Sequence, residues 1–201
     1  VSDTTTLDGK TIFAVGALEN ESGDLKEGTM FQYTYQMNLN TSFTGDDNLY
    51  VRLKSGNSVK NSSPFATSSA GSYLSSTNTN GDALKIDKIW YTFPIGDSNT
   101  VWIGPRIENY YMHGASPSIY SPTLKQFKLG GNGAAYGAST NTGIGWAYNA
   151  DNGFSISSNV VSKTAGATTG FLSDESATNW STQVAYTTDS YHVSLINALK
   201  Y

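Results

Sequence analysis

Cysteine is absent from the chain, which excludes a disulfide scaffold, a thiolate metal site and a cysteine nucleophile. Histidine is almost absent. His113 and His192 stand alone, with no second His and no Glu at ligand spacing. Charge is scarce: Asp, Glu, Lys and Arg make up 14% of residues, against about 25% in an ordinary soluble domain. The net charge of −4 argues against broad electrostatic attraction to nucleic acid. No run of 18 apolar residues occurs, so no transmembrane helix is predicted. There is no G-x-S-x-G elbow, and the Gly-rich stretch at 130–137 matches neither a phosphate loop nor a dinucleotide fingerprint. We therefore assign no catalytic residue, no metal and no cofactor, and do not read the chain as an enzyme.

Ser, Thr, Asn and Gly fill the space that charge leaves. Hydrophobic residues are 38% and aromatics 12% of the chain, with a mean hydropathy of −0.34. From Phe31 to Phe43 the odd positions read Phe, Tyr, Tyr, Met, Leu, Thr, Phe, while the even ones are Gln, Thr, Gln, Asn, Asn, Ser. This period of two predicts a long amphipathic strand. Similar alternation predicts nine strands near 10–18, 30–44, 48–55, 84–94, 100–108, 142–149, 153–162, 179–187 and 190–199. Short Asp- or Asn-bearing turns at 44–48, 94–99, 149–153 and 187–190 alternate with long loops at 19–28, 55–82, 109–141 and 163–178. Short and long connections in alternation characterise an up-and-down barrel in an outer membrane. Charged turns such as Asp46–Asp47 are explained by turn polarity rather than by calcium.

The apolar parity carries aromatics beside the short turns: Phe43, Phe93, Tyr148, Phe154, Tyr186 and Tyr191. Phe31, Tyr33 and Trp180 stand near the opposite ends. Two such rows suit the aromatic girdles of a membrane barrel. The other parity carries Tyr50, Arg52 and Lys54, then Lys88 and Trp90, then Trp102, Arg106 and Glu108. Gly143, Gly145, Ser155, Ser157, Asn159, Ser181 and Gln183 continue it. An unpartnered buried polar group costs about 1–3 kcal/mol, so this face is expected to meet water. The apolar face must then meet lipid or a second sheet.

The segment ALKIDKIWYTFPIGDSNTVWIGPRI (83–107) resembles the cyanobacterial major outer-membrane porins, a branch of the carbohydrate-selective OprB-type family also described as iron uptake porins. LNTSFTGDDNLYVRLKSGN (39–57) is similar to the second hairpin of that family, and SPSIYSP (116–122) and GFSISSNVVS (153–162) fit more loosely. The resemblance implies an all-β, antiparallel up-and-down transmembrane barrel. Residues 1–201 would be one domain, the first half of a barrel of about 16–18 strands. It implies an outer-membrane location in a Gram-negative-type bacterium, a cyanobacterium, with attachment to the cell wall through an upstream domain outside this sequence. A homotrimer is the commonest assembly of such porins.

The function so implied is passive diffusion of small hydrophilic solutes: inorganic ions, nutrients, small saccharides. Arg52, Lys88 and Arg106 would form a basic ladder facing the water-filled lumen, with Lys54 beside it and Glu108 answering Arg106. Tyr50, Trp90 and Trp102 share that face and would stack on sugars or pack the wall. The loop 109–141 is the candidate constriction, with Tyr110, Tyr111, His113, Tyr120, Lys125 and Lys128 lining it. The competing readings are a soluble β-sandwich that binds carbohydrate or builds a surface or phage structure, and a β-rich enzyme using acids such as Glu108 or Asp87.

Overall fold

A computed structural model describes residues 5–19, 28–60, 62–67, 71–118, 120–129, 140–163 and 170–201. Its strands are β1 (Thr5–Gly16), β2 (Met30–Thr41), β3 (Asn48–Gly56), β4 (Lys85–Ile95), β5 (Asn99–Ile107), β6 (Asn141–Asn149), β7 (Phe154–Ser162), β8 (Thr178–Thr187) and β9 (His192–Lys200). Each pairs antiparallel with the next, so one sheet runs from β1 to β9 in chain order. The sheet is open, with β1 and β9 as its edges. The expected strands all appear. The largest difference is at β1, which starts at Thr5 instead of near residue 10.

Register keeps the apolar parity aligned across the sheet. Leu39 lies opposite Leu7 and Val51, and Val51 opposite Ile89. Ile144 lies opposite Ile103 and Val160, and Val184 opposite Ile156 and Leu195. One face is therefore a continuous apolar band, as period-2 sequences require when neighbours stay in register. The band is exposed: Phe13 is 70%, Phe31 69% and Leu195 76% accessible. A patch of this extent marks a surface meant to be covered.

Polar side chains close the hairpin turns at 42–47, 150–154 and 187–192. In the β2–β3 turn, Asp47 Oδ1 accepts from Ser42 Oγ at 2.8 Å, Phe43 N at 2.9 Å, and Thr44 N and Oγ1 at 2.8 Å. Tyr91 Oη donates to Asp47 Oδ2 at 2.5 Å. These donors, Tyr91 first, hold the Asp47 carboxyl well below its usual range. The aromatics gather at this end. Phe43 and Tyr91 lie 6.4 Å apart, Tyr91 and Phe93 5.7 Å, and Tyr186 and Tyr191 6.3 Å. Phe154 faces Tyr186 across the β7–β8 pair.

Two bulges break the alternation. Arg52 pairs with Lys88 but Leu53 with Ile86, leaving Asp87 as the extra residue of β4. In β5, Ile103 pairs with Tyr91 but Arg106 with Ile89, so Gly104 and Pro105 together span Trp90. Proline tolerates a bulge because no ladder donor is lost there. Glycine is required beside it, since a Cβ at Gly104 would lie 2.4 Å from Trp90 Cβ and 2.6 Å from Ile89 O.

The described residues of the loops 57–84 and 108–129 lie over the polar face. The segment 57–84 is tied to the segment 108–129 by a Leu74–Leu124 bridge, with Ser75 N donating to Thr123 O at 2.7 Å and Lys125 N to Tyr73 O at 2.8 Å. Beneath them sits a small core of Trp90, Ile107, Met112 and Val161, flanked by Tyr50, Trp102 and Tyr111. The usual arrangement is inverted: what the loops bury is the polar side of the sheet.

Candidate functional site

The site is the part of the polar face where β3, β4 and β5 meet the two loops. The β4 bulge shapes it. Because Asp87 is the extra residue, it and Lys88 both reach the polar side, next to Arg52. Arg52 is ion-paired to Asp87, its Nε donating to Asp87 Oδ2 at 2.6 Å. Lys88 is ion-paired to Glu108 and donates to Thr140 Oγ1 at 2.8 Å. The Lys88–Glu108 pair has little access to water, Lys88 being 2% exposed, while the Arg52–Asp87 pair is half-buried. Low dielectric strengthens such pairs, and both ions rely on them.

An aromatic column stands beside the ions. Tyr50 and Trp90 are 4.3 Å apart, Trp90 and Tyr111 5.0 Å, and Tyr111 and Tyr110 4.4 Å. Arg52 Nη1 donates to Tyr111 Oη at 3.2 Å, and Lys88 Nζ sits 5.2 Å above the Tyr111 ring. Tyr110 Oη donates to Glu108 Oε2 at 2.9 Å. Burial, with Tyr111 and Glu108 alongside, pushes the Tyr110 phenol upward, so it stays a donor. Trp90 is thus enclosed between tyrosines and packs the wall; it is not open for a sugar to stack on. Trp102 flanks the same core.

Between these groups lies a polar cavity of about 270 Å³. Arg52, Lys54, Lys88, Lys125 and Lys128 face it, with Asp87 and Glu108 as its acids. Lys125 donates to Tyr73 Oη at 2.7 Å and lies 4.3 Å above that ring. Desolvation, followed by Lys10 and Arg52 nearby, holds the Lys128 ammonium below its usual range.

Arg106 is not in this group. The β5 bulge reverses its parity, so it pairs with Ile89 on the apolar side and is exposed. The three-rung ladder expected from the sequence is therefore two-runged, and Glu108 answers Lys88 rather than Arg106. Gly104–Pro105 inside a strand pattern was the signal for that reversal.

The candidate constriction loop is described at 109–118, 120–129 and 140–141; residue 119 and residues 130–139, with the whole Gly-rich stretch, lie outside the described residues. Residues 109–115 press onto β6, β7 and β8. Asn109 Nδ2 donates to Asn159 Oδ1 at 2.8 Å and to Asn179 O at 3.0 Å. Gln183 clamps Ala115, accepting from its N at 3.1 Å and donating to its O at 2.9 Å. Met112 is fully buried against Gly145. So Ser157, Asn159, Ser181 and Gln183 do not meet water, as the sequence had suggested; they are buried and bonded to the loop. Their small size, with Gly145, makes the room. Tyr120, by contrast, is 81% exposed.

His113 is buried against the sheet instead of lining a passage. Its Nδ1 lies 3.4 Å from Asn159 Nδ2 and from Ser157 Oγ, and its Nε2 3.5 Å from Ser181 Oγ. An amide nitrogen only donates, so Nδ1 accepts and Nε2 carries the proton. Burial lowers the ring to about 4 from its usual 6.5. The unfolded chain then takes up this proton below pH 6.5 while the folded chain resists until about 4. The contribution is whole above 6.5 and falls as pH drops toward 4. A His113→Gln variant is expected to lack this loss. At pH 4 the wild type should have lost about 3 kcal/mol more than the variant, read from urea midpoints across pH.

No family model matches the chain. The chain is similar to "Uncharacterized protein alr4550" of Nostoc, with 30% identity over 142 residues, 66% of this chain and 24% of that protein. The chain thus spans about a quarter of the length of the relative it matches.

Proposed function

We propose that this sheet is part of an outer-membrane channel for passive diffusion of small hydrophilic solutes. One observation carries the reading: the apolar face is the bare one, and the described residues of 57–84 and 108–129 cover the polar one. A soluble sandwich places its loops at the ends and its apolar faces together. A membrane barrel turns apolar side chains to lipid and polar ones to its lumen. The aromatics at the short-turn end, with Phe31 and Trp180 exposed toward the other, fit two interfacial girdles. Open edges at β1 and β9 would need further strands, since unpaired backbone is not tolerated in hydrocarbon. On this reading the segment 109–129 narrows the passage, flux follows the gradient, and wall charge sets ion preference. Outer-membrane location, a trimeric assembly and a cell-wall anchor belong to the same proposal.

The test is reconstitution of the full-length natural protein in a planar bilayer. Stepwise conductance is expected. Smooth baselines from a protein that stays dispersed without detergent would overturn the channel and favour a soluble sheet protein.

A further inference from the structure

The cavity beside the ion pairs holds more positive charge than its acids use. Five cations face two carboxylates. Asp87 and Glu108 are each committed, to Arg52 and Lys88. Among the described residues Lys54, Lys125 and Lys128 have no carboxylate within ion-pair distance, and Lys125 is held by the Tyr73 hydroxyl and ring. Nor does the excess end at this cavity. An adjoining one shares Lys54 and Lys128 and adds Lys10. Like charges gathered under a covering loop repel each other and lose hydration, at a cost that an anion would offset.

The shape and donors define which anion. A volume of about 270 Å³ is below the usual range for drug-sized ligands, about 300–1,000 Å³, and suits a small ion. Ser75, Thr77, Thr79 and Asn80 line the wall with the lysines, the Thr77 hydroxyl donating to Phe65 O at 2.7 Å and the Asn80 amide to Lys54 O at 3.1 Å. The only guanidinium there is already engaged by Asp87, so flat bidentate capture of a carboxylate is not on offer. What remains is a set of lysine ammoniums, which are point charges, with Ser75 and Thr79 beside them. Converging from several directions, they suit a compact tetrahedral oxyanion with several equivalent oxygens. The cavity lies on the loop-covered polar face, so a lipid headgroup is not its source.

We infer that this cavity is a binding site for a small divalent oxyanion of the phosphate or sulfate type, formed chiefly by Lys54, Lys125 and Lys128. As a step in permeation the inference rests on the channel reading. On that reading such a site would concentrate the oxyanion over chloride on the polar side of the sheet.

Two measurements on the full-length natural protein test it. In bilayers at constant ionic strength, replacing chloride by inorganic phosphate should give saturable, millimolar interference with chloride current. In detergent, phosphorus-31 line broadening of inorganic phosphate should report binding whether or not a channel opens. A Lys54→Gln/Lys128→Gln double variant should weaken both effects about tenfold or more; it removes no ion-pair partner, so folding should persist. Sulfate should compete and nitrate should not. The inference is overturned if phosphate acts like chloride, or if the double variant binds as tightly as wild type. Binding without conductance would sink the channel and keep the site; conductance without binding would do the reverse.

Discussion

Glu108→Gln is expected to cost about 3–5 kcal/mol of stability, because it strands a buried ammonium. Lys88 is nearly inaccessible and has two partners of note, the Glu108 carboxylate and the Thr140 hydroxyl. A neutral amide satisfies the hydrogen bond but not the charge. Tyr110 also loses the anionic acceptor that orients it. Replacing both ions by apolar residues, Lys88→Met with Glu108→Leu, should recover most of the loss, since well-packed apolar pairs often match a buried ion pair. The denaturation midpoints of the single and double variants check this. Equal losses in both would mean that the pair contributes by shape, not by charge. Removing Asp87 should cost less, because the Arg52–Asp87 pair keeps more access to water.

Gly145→Leu should expel residues 109–115 from the sheet. A Cβ at this glycine would lie 2.7 Å from Met112 Cβ, 2.8 Å from its sulfur and 2.9 Å from Asn159 Cβ. The strand is fixed by ladders on both sides, so the loop segment must move. We expect a loss of about 3 kcal/mol, at the upper end for overpacking, and new protease cleavage between 109 and 129. Asn159, Ser181 and Gln183 can then take water as partner, so the sheet itself should survive. On the channel reading, single-channel conductance should rise about twofold or more once the passage is unblocked. Cleavage without any change in conductance would show that this segment does not narrow the path. Intact resistance to protease would show that the contact at Gly145 is not what holds it.

Much of the architecture was readable from the residues. Alternation such as Phe31 to Phe43 locates strands because side chains at i and i+2 share a face. Asp- and Asn-bearing turns locate the hairpins because their side chains bond the turning backbone, as Asp47 does. What alternation could not reveal is where it slips. A one-residue bulge reverses every later side chain, and Asp87–Lys88 are both polar, so parity alone hid the first slip. At the second, Gly104–Pro105 was the visible cue, and Arg106 changed faces with it. The loop contacts were also hidden. Ser157, Asn159, Ser181 and Gln183 read as wetted because their partners, Asn109, His113 and Ala115, lie 40 or more residues away in sequence. Small residues on both sides of that contact were the faint sign that something could dock there. The excess of lysine at the cavity depends on Lys125 and Lys128 folding back over β3, which no strand pattern encodes.

The account turns on which solvent the apolar band meets. The cysteine-free chain accepts single cysteines for nitroxide labels at Leu39, Val51, Ile89, Ile103, Ile144 and Val184, which lie on the apolar parity of six strands. In the full-length protein in vesicles, every one of these labels should be more accessible to oxygen than to a water-soluble nickel complex. Labels at Phe43 and Tyr191, near the short-turn end, should give lower oxygen-to-nickel ratios. Nickel access exceeding oxygen access along the band, or exclusion of both reagents as in a packed sandwich, would contradict a lipid-facing sheet.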